Sequence, residues 1–354
     1  MKKSLLILLM AFMAVFSLAA CSDSEDATSE TNETAETQDT DAQKETESET
    51  TYPMTIKHAL GETVIEEKPE RVVTIQWGNH DVALALGVVP VGFSAANFGV
   101  QDDSGLLPWT KEKLTELGVT DPNVFMDTDG LDFEAISDAQ PDVILAAYSG
   151  ITAEDYELLS QIAPVVAYPT AAWATTWRES VELISKGMGM EAEGTKLITD
   201  VETMLKEKLA AYPQIEGKKV AWVNFSAKDL SQLHIYTPVD ARVSFLHELG
   251  LSYPESITSL IEDETKYSLN LSAENTEALY DVDVIVGYGD AELLATIQAD
   301  PLLGKIPAVQ KGAVAFITAD TPLVAAGTPN PLSIMYTIDD YLELIGGAID
   351  KGNE

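Results

Sequence analysis

Residues 191–212 read EAEGTKLITDVETMLKEKLAAY, and Leu197, Ile198, Val201, Met204, Leu205 and Leu209 recur among them at spacings of three and four. That spacing places all six on one face of a 3.6-residue helix. Pro213 follows and Gly217 ends the turn, which marks the stop. At 1.5 Å per residue the rod is roughly 30 Å long, about the width of a small domain. On each side lies a block of similar length in which short apolar runs alternate with helical segments. The expected architecture is α/β: two lobes with mainly parallel sheets, joined by this single long backbone helix, with a ligand cleft between them. The helix takes residues 189–213, the N-terminal lobe 52–188 and the C-terminal lobe 214–354.

Two segments precede the first lobe. Lys2 and Lys3, the apolar run Leu5–Val15 and the small residues Leu18-Ala19-Ala20 have the order of an export signal, residues 1–20. The apolar run is too short for a membrane span. Cleavage would leave Cys21 first, and Leu18-Ala19-Ala20-Cys21 resembles the lipobox of bacterial lipoproteins, in which that sulfur is lipidated. Stable anchoring takes two or more acyl chains. From there to Thr51 the chain is almost wholly Ser, Thr, Glu, Asp, Ala and Gln. Such a composition cannot offset its ordering entropy, so 21–51 is expected to be an acidic disordered tether between a membrane anchor and the folded part. A tether of this kind suggests a Gram-positive surface.

The 354 residues include 58 acidic and 21 basic ones, for a formal charge of −37. That balance excludes nucleic acid as a partner, because phosphates require Lys and Arg. The single Cys excludes internal disulfides and the usual Cys/His zinc clusters. There is no G-x-S-x-G elbow, no phosphate-binding P-loop and no H-E-x-x-H, and the four His residues are scattered, so the chain is not read as an enzyme.

Open parallel sheets bind ligands beyond the carboxyl ends of their strands. The apolar runs Val72–Ile75, Val88–Phe93, Val143–Ala147 and Val165–Ala167 mark strands in the first block; Lys219–Asn224, Val284–Gly287 and Val314–Ile317 mark them in the second. Just past them lie Gln76, Trp77, Asn79, Ser94, Tyr148, Trp173, Phe225, Tyr236 and Tyr288, an aromatic and neutral hydrogen-bonding set for loops. Arginine is confined to Arg71, Arg178 and Arg242. A cleft for an oxygen-rich ligand would use such forked donors, and Arg178 and Arg242 are the candidates. Arg71 is expected to pair with a nearby carboxylate. Glu134 and Glu274 each open a helix that leads into an apolar strand, a weak internal echo between the two blocks.

Several stretches together resemble the iron–siderophore substrate-binding proteins of ABC importers. They are Pro69-Glu70-Arg71-Val72-Val73, the segment Asp81–Gly92, Phe133-Glu134-Ala135-Ile136 with Pro141-Asp142-Val143-Ile144, Ile162–Val166, Trp177-Arg178-Glu179, and Tyr236–Gly250. The likeness runs from Tyr52 to Leu344. It implies two lobes on one stiff helix, and a monomer that captures a ferric siderophore outside the cell. The cargo would pass to a permease dimer with its ATPase. The siderophore would hold the iron, so no protein cofactor or metal ligand is expected. It further implies aromatic walls and a few arginines around the ligand, matching Trp77, Tyr148, Trp173, Tyr236 and Arg242. One Glu per lobe would meet arginines of the permease, here Glu134 and Glu274. The fold would equally serve a haem or cobalamin binder, for which Tyr148, Tyr236 and Tyr288 are available, and a surface interaction protein is the remaining alternative.

Overall fold

The computed structural model describes residues 50–354 except Gln101 and Thr128. The export signal, Cys21 and nearly all of the tether lie outside the described residues. The chain opens with a hairpin, β1 (Met54–His58) and β2 (Gly61–Ile65), closed by the two residues Ala59-Leu60. The first sheet follows: β3 (Val72–Thr74), β4 (Gly92–Ser94), β5 (Val124–Phe125), β6 (Val143–Leu145) and β7 (Val165–Val166). Its strands are all parallel, in the order β5-β4-β3-β6-β7. Val73, Ile144, Leu145 and Val166 are completely buried. Burial on both faces is why such strands read as unbroken apolar runs. Helices α1 (Asn79–Ala85), α2 (Pro108–Glu116), α3 (Phe133–Asp138), α4 (Ala153–Leu159) and α5 (Trp177–Gly187) occupy the connections.

α6 is the rod, Glu191–Leu209. It ends with the last residue of the apolar stripe, Leu209, three residues short of Tyr212. Ala211 and Tyr212 bond to carbonyls only three residues back, the tightened last turn that precedes Pro213. Only Gly194, Val201 and Leu205 are fully buried; Leu197, Ile198, Met204 and Leu209 pack half-covered against the core.

The second sheet has the order β10-β9-β8-β11-β12, from β8 (Val220–Ser226), β9 (Asp229–Tyr236), β10 (Ser268–Ser272), β11 (Val284–Tyr288) and β12 (Val314–Ile317). β8, β11 and β12 are parallel, whereas β9 and β10 add an antiparallel edge. Sequence reasoning finds the three parallel strands and misses β9 and β10, since the exposed start of β9, Asp229-Leu230-Ser231-Gln232, carries no apolar run. α7 (Ala241–Glu248), α8 (Glu255–Thr258), α9 (Ala291–Ala299) and α10 (Pro307–Lys311) surround this sheet, and α11 (Pro331–Asn353) ends the chain.

The weak echo between the blocks has a structural counterpart. Asp142, ahead of β6, accepts the backbone N–H of Arg71 at the mouth of β3 and donates its own to the Arg71 carbonyl, at 2.9 and 2.8 Å. Asp283, ahead of β11, does the same with Lys219 at the mouth of β8, at 2.8 and 2.9 Å. The Arg71 guanidinium differs from expectation. It donates to the carbonyls of Ala139 and Gln140, at 2.5 and 2.8 Å, beyond the end of α3, where a helix dipole favours a cation.

The lobes are also tied beside the rod. α11 packs on α6, on β11 and β12, and on α1 and α2 of the first lobe. Its N-cap is Asn330, whose Oδ1 accepts from Ser333 N at 3.0 Å while its Nδ2 donates to Asp81 at 2.8 Å. Asp81 is completely buried and also accepts from Trp109 Nε1 and Thr110 Oγ1, each at 2.7 Å. Three donors offset the desolvation of that carboxylate. Asn330→Ala removes a helix cap and one of those donors. The expected cost is about 2–3 kcal/mol, seen as a Tm lower by roughly 3–5 °C. An unchanged Tm in near-UV circular dichroism would show that Asp81 does not anchor α11.

Candidate functional site

A cavity of about 350 Å³ lies between the lobes, within the range of small-ligand sites. From the first lobe, β3 leads into Gln76 and Trp77. Gln76 has φ +65° and Gly78 φ +69°, two left-handed residues that set Trp77 at the rim. A side chain at Gly78 would be strained by that backbone and would crowd the Asn330 amide. The Ser94 hydroxyl steadies the turn by accepting from Gln76 N at 2.7 Å. β6 leads into Tyr148, which meets the Trp173 indole edge to face at 5.3 Å. Trp173 itself holds φ +61° with its N–H on the Ser149 carbonyl at 3.0 Å. Gly150 leaves room for that indole, and a Cβ there would collide with it.

The second lobe supplies Tyr288 from the end of β11, Tyr236 from the end of antiparallel β9, and Tyr267 just before β10. Arg242 lies 4.3 Å over the Tyr236 ring, its Nη1 donates to Asp240 at 2.8 Å, and its Nε donates to the Tyr288 hydroxyl at 3.4 Å. Asp240 also caps α7 by accepting from Arg242 N at 2.9 Å. Burial works against both charges, but the Asp240 carboxylate holds the guanidinium well above the ordinary arginine range. Burial raises the Tyr148 and Tyr236 phenols, so both stay neutral donors and acceptors at neutral pH. Phe98, 46 % exposed, reaches from the first lobe to within 5.8 Å of the Tyr288 ring across the cleft.

Six of the eight expected ligand residues come together here: Trp77, Tyr148, Trp173, Tyr236, Arg242 and Tyr288. Asn79 does not. It is buried below the cleft, where its amide donates to the Ile75 and Tyr148 carbonyls and accepts from Tyr148 N, at 2.8–3.0 Å. Arg178 lies elsewhere and is an inter-element brace. Its Nε donates to Glu202 of α6 at 2.6 Å, and its Nη1 meets Glu248 of α7 at 2.5 Å. Trp177 Nε1 donates to the same Glu248 at 2.7 Å. Sequence reasoning passed over Phe98, Asp127, Asp240 and Tyr267. Tyr267 precedes its strand and Asp127 follows the two-residue β5, so a rule based on residues after apolar runs reaches neither. Asp240 did leave a signal, an acidic residue directly before a helix. Glu134 and Glu274 are exposed, each in the first turn after an N-cap, Asp132 and Ser272 respectively.

Comparison with known proteins places this geometry. Residues 72–321 match the periplasmic binding protein family, and the chain belongs to it. The crystal structure of Streptococcus pneumoniae TIGR4 PiaA in complex with ferrichrome is 52 % identical, with a TM-score of 0.81, covering 84 % of this chain and 99 % of that one. The ferric enterobactin-binding periplasmic protein FepB of Escherichia coli O6:H1 is 26 % identical over 289 residues, 76 % of this chain and 85 % of the relative. The probable siderophore-binding lipoprotein YfiY of Bacillus subtilis is 26 % identical over 256 residues, 70 % of this chain and 71 % of the relative.

Removing one partner of a buried ion pair leaves the other charge uncompensated, whereas removing both does not. Arg242→Met is therefore expected to lower stability by about 3 kcal/mol. Adding Asp240→Asn to it should restore a substantial part in denaturant titrations. Additive losses in that double-mutant cycle would contradict the pairing.

Proposed function

We propose that this member of the periplasmic binding protein family captures a ferric siderophore outside the cytoplasm and delivers it to an ABC permease for iron uptake. The observation that carries the reading is the aromatic cleft between two α/β lobes, in a chain that matches a ferrichrome-bound structure over 99 % of that structure's length. Ferrichrome is a neutral ferric trihydroxamate, and a lining of tryptophan, tyrosine and phenylalanine with one internally balanced guanidinium suits such a complex. The siderophore holds the iron, and the protein binds the whole complex without turnover.

Delivery requires a docking face and a position near the membrane. Glu134 and Glu274, one exposed carboxylate on each lobe, are the residues we assign to the arginines of a permease dimer served by its ATPase. Cys21 is the assigned lipid attachment site, which would place the protein as a monomer on a Gram-positive cell surface. The lipoprotein description of the Bacillus relative supports that location.

Trp77 and Trp173 line the cleft, so tryptophan fluorescence of the mature chain from Cys21 reports its occupancy. Titration with ferrichrome should quench saturably at sub-micromolar concentration, after correction for ligand absorbance. Binding of haem or cobalamin alone would keep the fold and overturn the ligand. No binding by any of them would favour a surface interaction role.

A further inference from the structure

The side chains lining the cleft include three acidic or basic ones: Arg242, Asp240 and Asp127. Arg242 and Asp240 are paired at 2.8 Å and cancel. Among the described residues, no Lys or Arg is paired with Asp127. It is joined to the Ser94 hydroxyl, which donates to its Oδ2 while accepting from Gln76 N. Burial raises the Asp127 carboxyl and the Ser94 hydrogen bond opposes that rise. His80 is 2 % exposed and stacked on Phe93; the carboxylate it meets is Asp81, at 3.5 Å, and burial lowers its pKa against the pull of Asp81 and Asp127. Asp132 adds a further like charge to the surroundings. Asp127 is thus the one carboxyl of the cleft lining that no cationic side chain among the described residues is paired with.

We propose that Asp127 determines specificity by charge: it admits neutral ferric hydroxamates, and those bearing an ammonium group, and turns away polyanionic ferric catecholates and ferric citrates. The inference rests on the reading that the cleft takes a ferric siderophore. Three hydroxamate anions neutralise a ferric ion, whereas three catecholate dianions leave the complex with three negative charges. Aromatic walls accept the faces of either kind, so they cannot make this distinction, and an unpaired like charge can. The overall charge of −37 is a weaker candidate. Among the described residues, the other Asp, Glu, Lys and Arg side chains do not line the cleft, and salt screens charges beyond about 8 Å at physiological ionic strength.

The test is a set of dissociation constants for the mature chain with ferrichrome, ferrioxamine B, ferric enterobactin and ferric citrate, for wild type, Asp127→Asn and Asp127→Glu, at low and high salt. Asn keeps the acceptor for Ser94 and removes the charge. The expected result is that the ratio of the enterobactin to the ferrichrome constant falls about tenfold or more in Asp127→Asn. Asp127→Glu should retain the wild-type ratio. In wild type the ratio should shrink as salt rises, and in Asp127→Asn it should not. An unchanged ratio in Asp127→Asn, an equal fall in Asp127→Glu, or a salt-independent wild-type ratio would overturn the proposal. Should Asp127→Asn fail to fold, the wild-type salt series decides. If ferrichrome binds wild type and the ratios do not move, charge selection by Asp127 is wrong and the siderophore reading stands. If no ferric complex binds wild type, both fall.

Discussion

The site depends on one buried ion pair. Asp240 is 1 % exposed and would be costly to bury alone, and Arg242 beside it is 18 % exposed. Each makes the other tolerable, and the pair does three further things. It caps α7, fixes the guanidinium over the Tyr236 ring, and leaves the arginine nearly neutral as seen from the cavity. A guanidinium so held donates hydrogen bonds without acting as a free positive charge. The cleft is therefore a directional, weakly charged aromatic pocket and not an anion trap. That property suits the neutral cargo proposed for it.

Rigidity follows from how α7 is held. Its first turn carries Arg242 into the cleft, and its last residue, Glu248, is bound by Trp177 and Arg178 of the first lobe. Arg178 is in turn bound to the rod through Glu202. On the other side, α11 is tied to the first lobe through Asn330 and Asp81. The lobes are thus fastened by polar bonds on both flanks of a stiff helix. A pocket pre-formed in this way loses less ordering entropy on binding than one that must assemble around its ligand. Its walls are correspondingly fixed, with Trp77 and Trp173 held by left-handed turns and Tyr148 by the Asn79 amide.

Much of this was legible in the sequence because it obeys simple periods. The rod showed as a 3.6-residue apolar stripe, the parallel strands as unbroken apolar runs, and most cleft aromatics as residues just after those runs. What stayed hidden was set by tertiary contact. β9 and β10 form an edge whose exposed residues carry no apolar pattern, so Tyr267 had no strand to be referred to. Arg178 and Asn79 have the right chemistry for ligand contact, yet Glu248 and Glu202 claim the first, and the Ile75 and Tyr148 backbone claims the second. No local signal separates a donor aimed at a ligand from one aimed at the fold. The spanning role of α11 was equally hidden, because its amphipathic pattern does not reveal which lobe it covers.

In the proposed mode of binding, the cleft holds a ferric complex whose iron is coordinated by the siderophore alone. Crystallography of the protein grown with ferrichrome, with anomalous data collected at the iron edge, tests it most directly. The predicted result is one iron peak in the cavity bounded by Trp77, Trp173, Tyr236 and Arg242, with hydroxamate oxygens as its ligands and no protein atom among them. An iron peak coordinated by protein side chains, or located away from this cleft, would contradict the account.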